Sequence, residues 1–275
     1  MNKLLPLIFL LSLISCNQNK PDAASVLAGG HWIDLTWSYE ESTVYWPTNV
    51  TFKHDTVFYG INDKGYFYSS FRYSAEEHGG THFDAPLHFA QGGRSIEQIQ
   101  VDEFTGPAIV VDVTAPSAQN RDYMVSTDDF IRWEKTYGKI PEHAIVLINT
   151  GFSKYWGDKE KYTGTLKTGA EGVAELHFPG LGPEAAQWLM KERNIKAVGI
   201  DTPSIDFGQS KDFMTHRNLC SGNVTAYENI ADPGQLPVTG SYVVAAPMKI
   251  KGGSGSPLRI LAWIPDQTNL KTPKP

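Results

Sequence analysis

Residues 78–89 read HGGTHFDAPLHF and hold three of the chain's eight histidines together with Asp84. Neutral imidazoles and a carboxylate with convergent lone pairs are a donor set that Zn²⁺ or Mn²⁺ accepts. His78 and His82 stand at helical spacing, but Gly79, Gly80, Thr81 and Pro86 are poor company for a helix. A tight loop or irregular turn is therefore expected. His82 and Asp84 have period-two spacing, so an extended segment points both side chains the same way. His88 lies beyond a proline that fixes the direction of the chain. Three such ligands leave positions open for water, the arrangement of a catalytic site. An ion there lowers the pKa of its water and polarises a carbonyl. A histidine left unligated, with an ordinary pKa of about 6.5, then suits proton transfer.

The elements that must position this stretch are mostly strands. Runs at 31–37, 66–74, 108–113, 144–150, 196–201, 241–250 and 258–264 read as strands. Several are continuous and β-branched, as in strands buried on both faces, whereas YFYSSFRYS at 66–74 has the mixed pattern of a half-exposed one. Two helices are expected. One follows Ser126, with Asp129 three residues on, and stops at Gly138; the other starts at Pro183 and stops near Asn194. Each leads into a buried strand, the second half of a βαβ unit. No linker interrupts residues 28–266, so a single mixed α/β domain is expected, rich in strands with few helices.

Residues 1–15 have a positive start at Lys3 and an apolar run, Leu4 to Leu13, too short for a comfortable membrane span. This is the layout of an export signal. The ending LISC resembles a bacterial lipobox, which implies lipidation of Cys16, a disordered tether over 16–27 and a membrane-anchored lipoprotein outside the cytoplasm. Residues 267–275 read as a loose tail. With Cys16 acylated, Cys220 is the only thiol left, so no intrachain disulfide forms. The net charge is −6, and −7 once Lys3 is removed with the signal, which argues against nucleic acid as a partner.

HGGTHFDAPLHF matches the H-x-G-T-H-x-D-x-P-x-H signature of the cyclase-like metal-dependent hydrolases, a family that includes kynurenine formamidases and isatin hydrolases. The resemblance continues through DLTW (34–37), HFPGL (177–181), GIDTPSID (199–206) and the stretch LPVTGSYVVAAPMKIKGGSGSPLRILA (236–262), whose wording is closest to the isatin hydrolase branch. It implies a β/β/α, swivelling-domain-like fold. It implies His78, His82 and Asp84 as metal ligands and His88 as the catalytic acid/base. Binuclear members add a later histidine and a glutamate twelve residues beyond it, which fall on His216 and Glu228. Read alone, THRN makes His216 a loop histidine and AYEN makes Glu228 a solvated glutamate. The cofactor implied is Mn²⁺ or Zn²⁺, one ion as in isatin hydrolases or two with Asp84 bridging. Homo-oligomers are also implied.

His31, His54 and His143 read as structural or solvent-exposed, and His177 has no derivable role. Asp201 and Asp206 either support the site from behind its ligands or stabilise a turn. Aromatics at Tyr45–Trp46 and Phe67–Tyr73 either line a pocket or belong to the core. The expected activity is hydrolysis of a small cyclic or aryl amide. In it, activated water attacks the carbonyl carbon and His88 carries the proton to the leaving nitrogen. Two alternatives stay open: a lactone or ester hydrolase or ring-closing cyclase on the same site, and a non-catalytic exported lipoprotein that binds metal or ligand.

Overall fold

Residues 145–149, IVLIN, are all buried, and their side chains divide by parity. Ile145 and Leu147 join one apolar cluster with Phe83, Tyr227 and Ile260. Val146 and Ile148 join a second with Phe130, Trp133 and Leu189. A strand that buries both faces must lie between two layers, and the continuous apolar runs in the sequence record that position. The computed structural model describes residues 27–266. The expected signal, Cys16, nearly all of its tether and the 267–275 tail lie outside the described residues.

The strands are β1 Gly30–Asp34, β2 Lys53–Ile61, β3 Phe67–Ser74, β4 His82–Asp84, β5 Thr105–Asp112, β6 Met124–Val125, β7 Ile145–Asn149, β8 Gly180–Leu181, β9 Ala197–Ile200, β10 Thr225–Glu228, β11 Ser241–Pro247 and β12 Gly255–Pro265. The helices are α1 Thr114–Gln119, α2 Thr127–Tyr137, α3 Lys159–Thr163, α4 Gly169–Ala174, α5 Pro183–Arg193 and α6 Met214–Ser221. The main sheet runs β1-β12-β11-β5-β7-β9-β10-β4, and a β12–β4 pairing closes it into a barrel. β5, β7, β9 and β10 are parallel neighbours and the remaining pairings are antiparallel. The first cluster fills the barrel and the second lies between its wall and α2 and α5. This is the mixed, strand-rich, swivelling-domain-like architecture expected.

Both expected helices form. The Asp129 carboxylate accepts from the Ser126 N–H at 2.7 Å at the start of α2, and Pro183 opens α5. They end at Gly138 (φ 91°) and Asn194 (φ 48°), left-handed positions that glycine and asparagine tolerate. β2, β4, β10 and α6 were not expected. Three of these four carry or flank the site. Among the described residues no helix is long and apolar enough to cross a membrane. Phe67–Tyr73 belong neither to the core nor to a pocket, because β2 and β3 form a two-stranded ribbon exposed along nearly its whole length.

Candidate metal centre

β4 is only three residues long, yet its register determines the site. It lies between β10 and β12, with His82 opposite Glu228 and Asp84 opposite Gly255. Phe83 and Tyr227 pack into the barrel, so period two turns His82, Asp84 and Glu228 to the outer wall together. There α6 brings His216 over them. The bend before β4 needs Gly80 in the left-handed region (φ 58°), where a Cβ would also meet the Tyr39 ring at 2.8 Å. Pro86–His88 form a short 3-10 turn that carries His88 back beside His78, their rings stacked with centroids 3.6 Å apart.

The imidazoles are oriented from behind. His82 Nδ1 lies 3.0 Å from the Gly80 carbonyl oxygen, which can only accept, so this nitrogen carries the proton and Nε2 presents a lone pair. His216 Nδ1 lies 2.7 Å from the Asp206 carboxylate, which fixes the same tautomer. His78 Nε2 lies 2.9 Å from Ser254 Oγ, which itself donates to Glu77 at 2.8 Å. That leaves His78 Nδ1 facing Asp84 Oδ1 at 2.7 Å.

The forward atoms form a cluster of acceptors. His82 Nε2 is 3.2 Å from Asp84 Oδ1 and 3.3 Å from Glu228 Oε2. His216 Nε2 is 3.1 Å from Glu228 Oε1 and 3.4 Å from Asp84 Oδ2. Asp84 Oδ2 is fully buried and takes no hydrogen bond. Burial disfavours charge on His82, but Asp84, Glu228 and the Gly80 carbonyl outweigh it and push the imidazole up to about 9. Burial likewise opposes charge on His216, yet Asp206, Asp84 and Glu228 raise it well above the ordinary value. Burial raises Asp84, and His82, His216 and His78 hold it well below the carboxylate range all the same. Glu228 is pushed up by burial and by the Asp84 charge beside it. Carboxylates this close require positive charge between or beside them, and a divalent cation supplies it where the imidazoles keep neutral tautomers. The donor set and the orphaned Asp84 oxygen fit such an ion.

Among the described residues, two three-residue groups bring ligand atoms within 4.8 Å of one another: His78, His82 and Asp84, and Asp84, His88 and His216. They share Asp84. The sequence-derived residues His78, His82, Asp84, His88, His216 and Glu228 are therefore all in one place, with His88 as close to the second group as a ligand would be. Burial, together with the neighbouring imidazoles and against the pull of Asp84, lowers the His88 imidazole to about 3, so the ring is neutral.

Read alone, His216 is a loop histidine and Glu228 a solvated glutamate, and the structure corrects both readings: His216 lies in α6 and Glu228 in β10. Both are buried, at 5 % and 4 % exposure. His216 is helical because Asp206, from the segment that leads into α6, accepts the Thr215 and His216 N–H groups at 3.1 Å each and caps the helix. The two aspartates of GIDTPSID thus divide. Asp206 supports His216, while Asp201 accepts from Thr150 and Ser153 and closes the loop after β7. Replacing Asp206 by alanine is expected to weaken metal binding 10- to 100-fold, by an order-of-magnitude estimate, and to destabilise the fold by about 1 kcal/mol. Metal-competition titration and urea unfolding read the two effects. His177 pairs with Asp122 at 2.8 Å, outside the site.

Sequence reasoning missed Glu77, Ser254 and Gly255. The Glu77 carboxylate accepts from the Ser254 and Gly255 N–H groups. A Cβ on Gly255 would stand 2.4 Å from His78 Cε1, so the imidazole lies between bare backbone and the His88 ring. Gly255→Ala is expected to displace His78 and lower metal affinity by about tenfold or more, which isothermal titration would measure. A period-two reading places this glycine in a strand but gives no sign that an imidazole lies across it.

A cavity of about 270 Å³ opens onto the four histidines. Val44, Trp46, Phe89 and Phe213 supply its apolar wall, with Trp46 edge-on to Phe213 at 5.9 Å. Tyr45 and Trp46 accordingly line a pocket. The volume lies just below the roughly 300–1,000 Å³ typical of ligand sites, so the ligand is small.

Residues 33–207 match the sequence profile of the family described as "Putative cyclase". The chain is 30 % identical over 197 residues to the isatin hydrolase of Roseibium aggregatum, covering 69 % of this chain and 72 % of that one. It is 26 % identical over 231 residues to the kynurenine formamidase of Geobacillus thermodenitrificans, covering 83 % and 95 %. Among solved structures, isatin hydrolase A from Labrenzia aggregata bound to benzyl benzoate superposes with a TM-score of 0.78 at 32 % identity, covering 87 % of this chain and 95 % of that one.

Proposed function

Since the chain belongs to the cyclase family of metal-dependent hydrolases, we propose that it hydrolyses a small cyclic or aryl amide at the centre built around Asp84. The observation that carries this reading is the convergence of His78, His82, Asp84 and His216 beside a cavity with one apolar wall. His78, His82 and Asp84 would hold one divalent ion, Mn²⁺ or Zn²⁺, and His216 and Glu228 would offer ligands to a second. A bound ion of this kind activates water and polarises a carbonyl.

The chain's own residues do the rest. Trp46 and Phe213, packed edge-on, form one apolar wall against which a flat substrate lies, and exclude water around the scissile bond. His88, neutral and flanked by the His78 ring, accepts a proton on a ring nitrogen and returns it to the departing nitrogen. Stacking on His78 fixes the plane of His88, and Gly80, Asp206 and Ser254 fix the planes of the other imidazoles. Export and lipid anchoring through Cys16 belong to the same proposal and rest on residues 1–16 alone.

A panel of isatin, N-formylkynurenine and simple lactones, assayed with the metal-loaded protein, tests the substrate class. Turnover of an amide at least about 100-fold faster, in kcat/KM, than of any lactone is the expected result. Faster lactone turnover would move the reading to ester chemistry on the same site.

A further inference from the structure

Beside its apolar wall the cavity has a polar corner, built where two segments, 44–50 and 76–80, run against each other. Tyr45 bridges Gly79, and the Gly80 N–H donates to the Val44 carbonyl at 2.9 Å. The Val50 N–H donates to Glu76 Oε1 at 2.7 Å, and Asn49 Nδ2 donates to the His78 carbonyl at 3.4 Å. That bond assigns the Asn49 amide and leaves its Oδ1 as an unused acceptor. A Cβ on Gly79 would stand 2.1 Å from the Tyr45 ring, so the ring lies on bare backbone and has one place to be. Tyr45 is 4 % exposed, yet its hydroxyl has no hydrogen-bond partner. Burial, with the Glu76 charge nearby, pushes that hydroxyl up to about 12, so it keeps its proton. Asn49, Glu76 and Tyr45 all line the cavity, Glu76 from an exposed position at its edge. Among the described residues that line it there is no lysine or arginine.

We propose that this corner is a subsite for an ammonium group, and that the amide hydrolysed here carries an amine, with no carboxylate beside it. The inference rests on the hydrolase reading for the bond that is cut. An ion at the metal centre draws on Asp84 and Glu228, which leaves the Glu76 charge in the lining without a positive partner. An ammonium has three N–H donors and no acceptor. The corner offers three acceptors to match: the Glu76 carboxylate, the Tyr45 hydroxyl oxygen and Asn49 Oδ1. Hydrogen bonds to a charged group are about twice as strong as neutral ones, and the orphaned Tyr45 hydroxyl regains a partner. The Tyr45 and Trp46 rings favour the same charge. A carboxylate in this corner meets Glu76 and finds no cation to balance it, and an apolar end leaves the hydroxyl unpaired.

Three ortho-acylformanilides that differ only at the end of the acyl chain test this. One ends in an ammonium, one in a methyl group, and one, N-formylkynurenine, in an ammonium and a carboxylate. The ammonium compound is expected to have a kcat/KM about tenfold above either of the others, the difference lying in KM. Glu76→Gln keeps an oxygen for the Val50 N–H and removes the charge. It is expected to bring the ammonium and methyl compounds within about threefold of each other, and Tyr45→Phe to shrink their ratio by about threefold. Titration calorimetry of phenethylammonium against 2-phenylethanol reads the subsite on the chain as purified, without turnover. The cation is expected to bind about tenfold more tightly to the wild type and without preference to the Glu76→Gln chain. A wild type indifferent to the ammonium, or a Glu76→Gln chain that keeps the preference, overturns the proposal. The wild-type ratios alone can refute it, so the test does not depend on how the variants fold. Amides cleaved without that preference refute the subsite and leave the hydrolase reading standing. Preferential binding of the cation with none of the three amides cleaved supports the subsite and refutes the amide reading.

Discussion

Asp84→Asn is expected to abolish both metal binding and turnover, with kcat/KM falling by at least about 10³-fold, or about 4 kcal/mol of transition-state stabilisation. The side chain is nearly isosteric, so the loss isolates charge and lone pairs from packing. Asp84 Oδ1 faces His78 and His82, while Oδ2 is buried without a hydrogen bond beside His216. The carboxylate is therefore the one group common to both sets of converging ligand atoms. An amide at this position turns two N–H donors or a neutral oxygen towards imidazole lone pairs and removes the charge that an ion needs. Metal content by mass spectrometry and turnover on one preparation, with circular dichroism as a check on folding, give the result. A variant that retains one ion per chain and wild-type turnover would remove Asp84 from the centre.

His88→Ala is expected to behave differently: kcat falls by about 10²- to 10⁴-fold, roughly 3–5 kcal/mol, while the bound metal is kept. The distinction rests on surroundings. His82 and His216 have one ring nitrogen tied to an acceptor behind them, the signature of an oriented ligand. His88 has no such tether among the described residues. It is held by ring contacts with His78, Phe89 and His216, which fix a plane but leave both nitrogens free to exchange a proton. Equilibrium dialysis against the metal separates the two roles that its position permits. Loss of metal together with kcat would make His88 a ligand, with Asp84 and His216.

The metal-binding stretch was legible because its chemistry is local. His82 and Asp84 share a face through period two, and the glycines around position 80 are consumed by the bend. The apolar runs of β7 and β9 were legible because burial on both faces leaves nothing polar in them. What could not be read depends on partners outside each element's own stretch of chain. MTHRNLCS has no apolar stripe, starts at a left-handed Phe213 (φ 50°) and gets its cap from Asp206. Glu228 looks solvated in sequence, and only its pairing opposite His82 makes it part of the site. β2 escaped notice because KHDTVFYGI is exposed on both faces and so alternates nothing.

Metal and turnover on the same sample test the central claim most directly. The protein is assayed on isatin as purified, after exhaustive chelation, and after Mn²⁺ or Zn²⁺ is added back. The account predicts that chelation removes turnover and that a divalent ion restores it, with the Asp84→Asn protein unresponsive to both treatments. Undiminished turnover by the metal-free chain would contradict it.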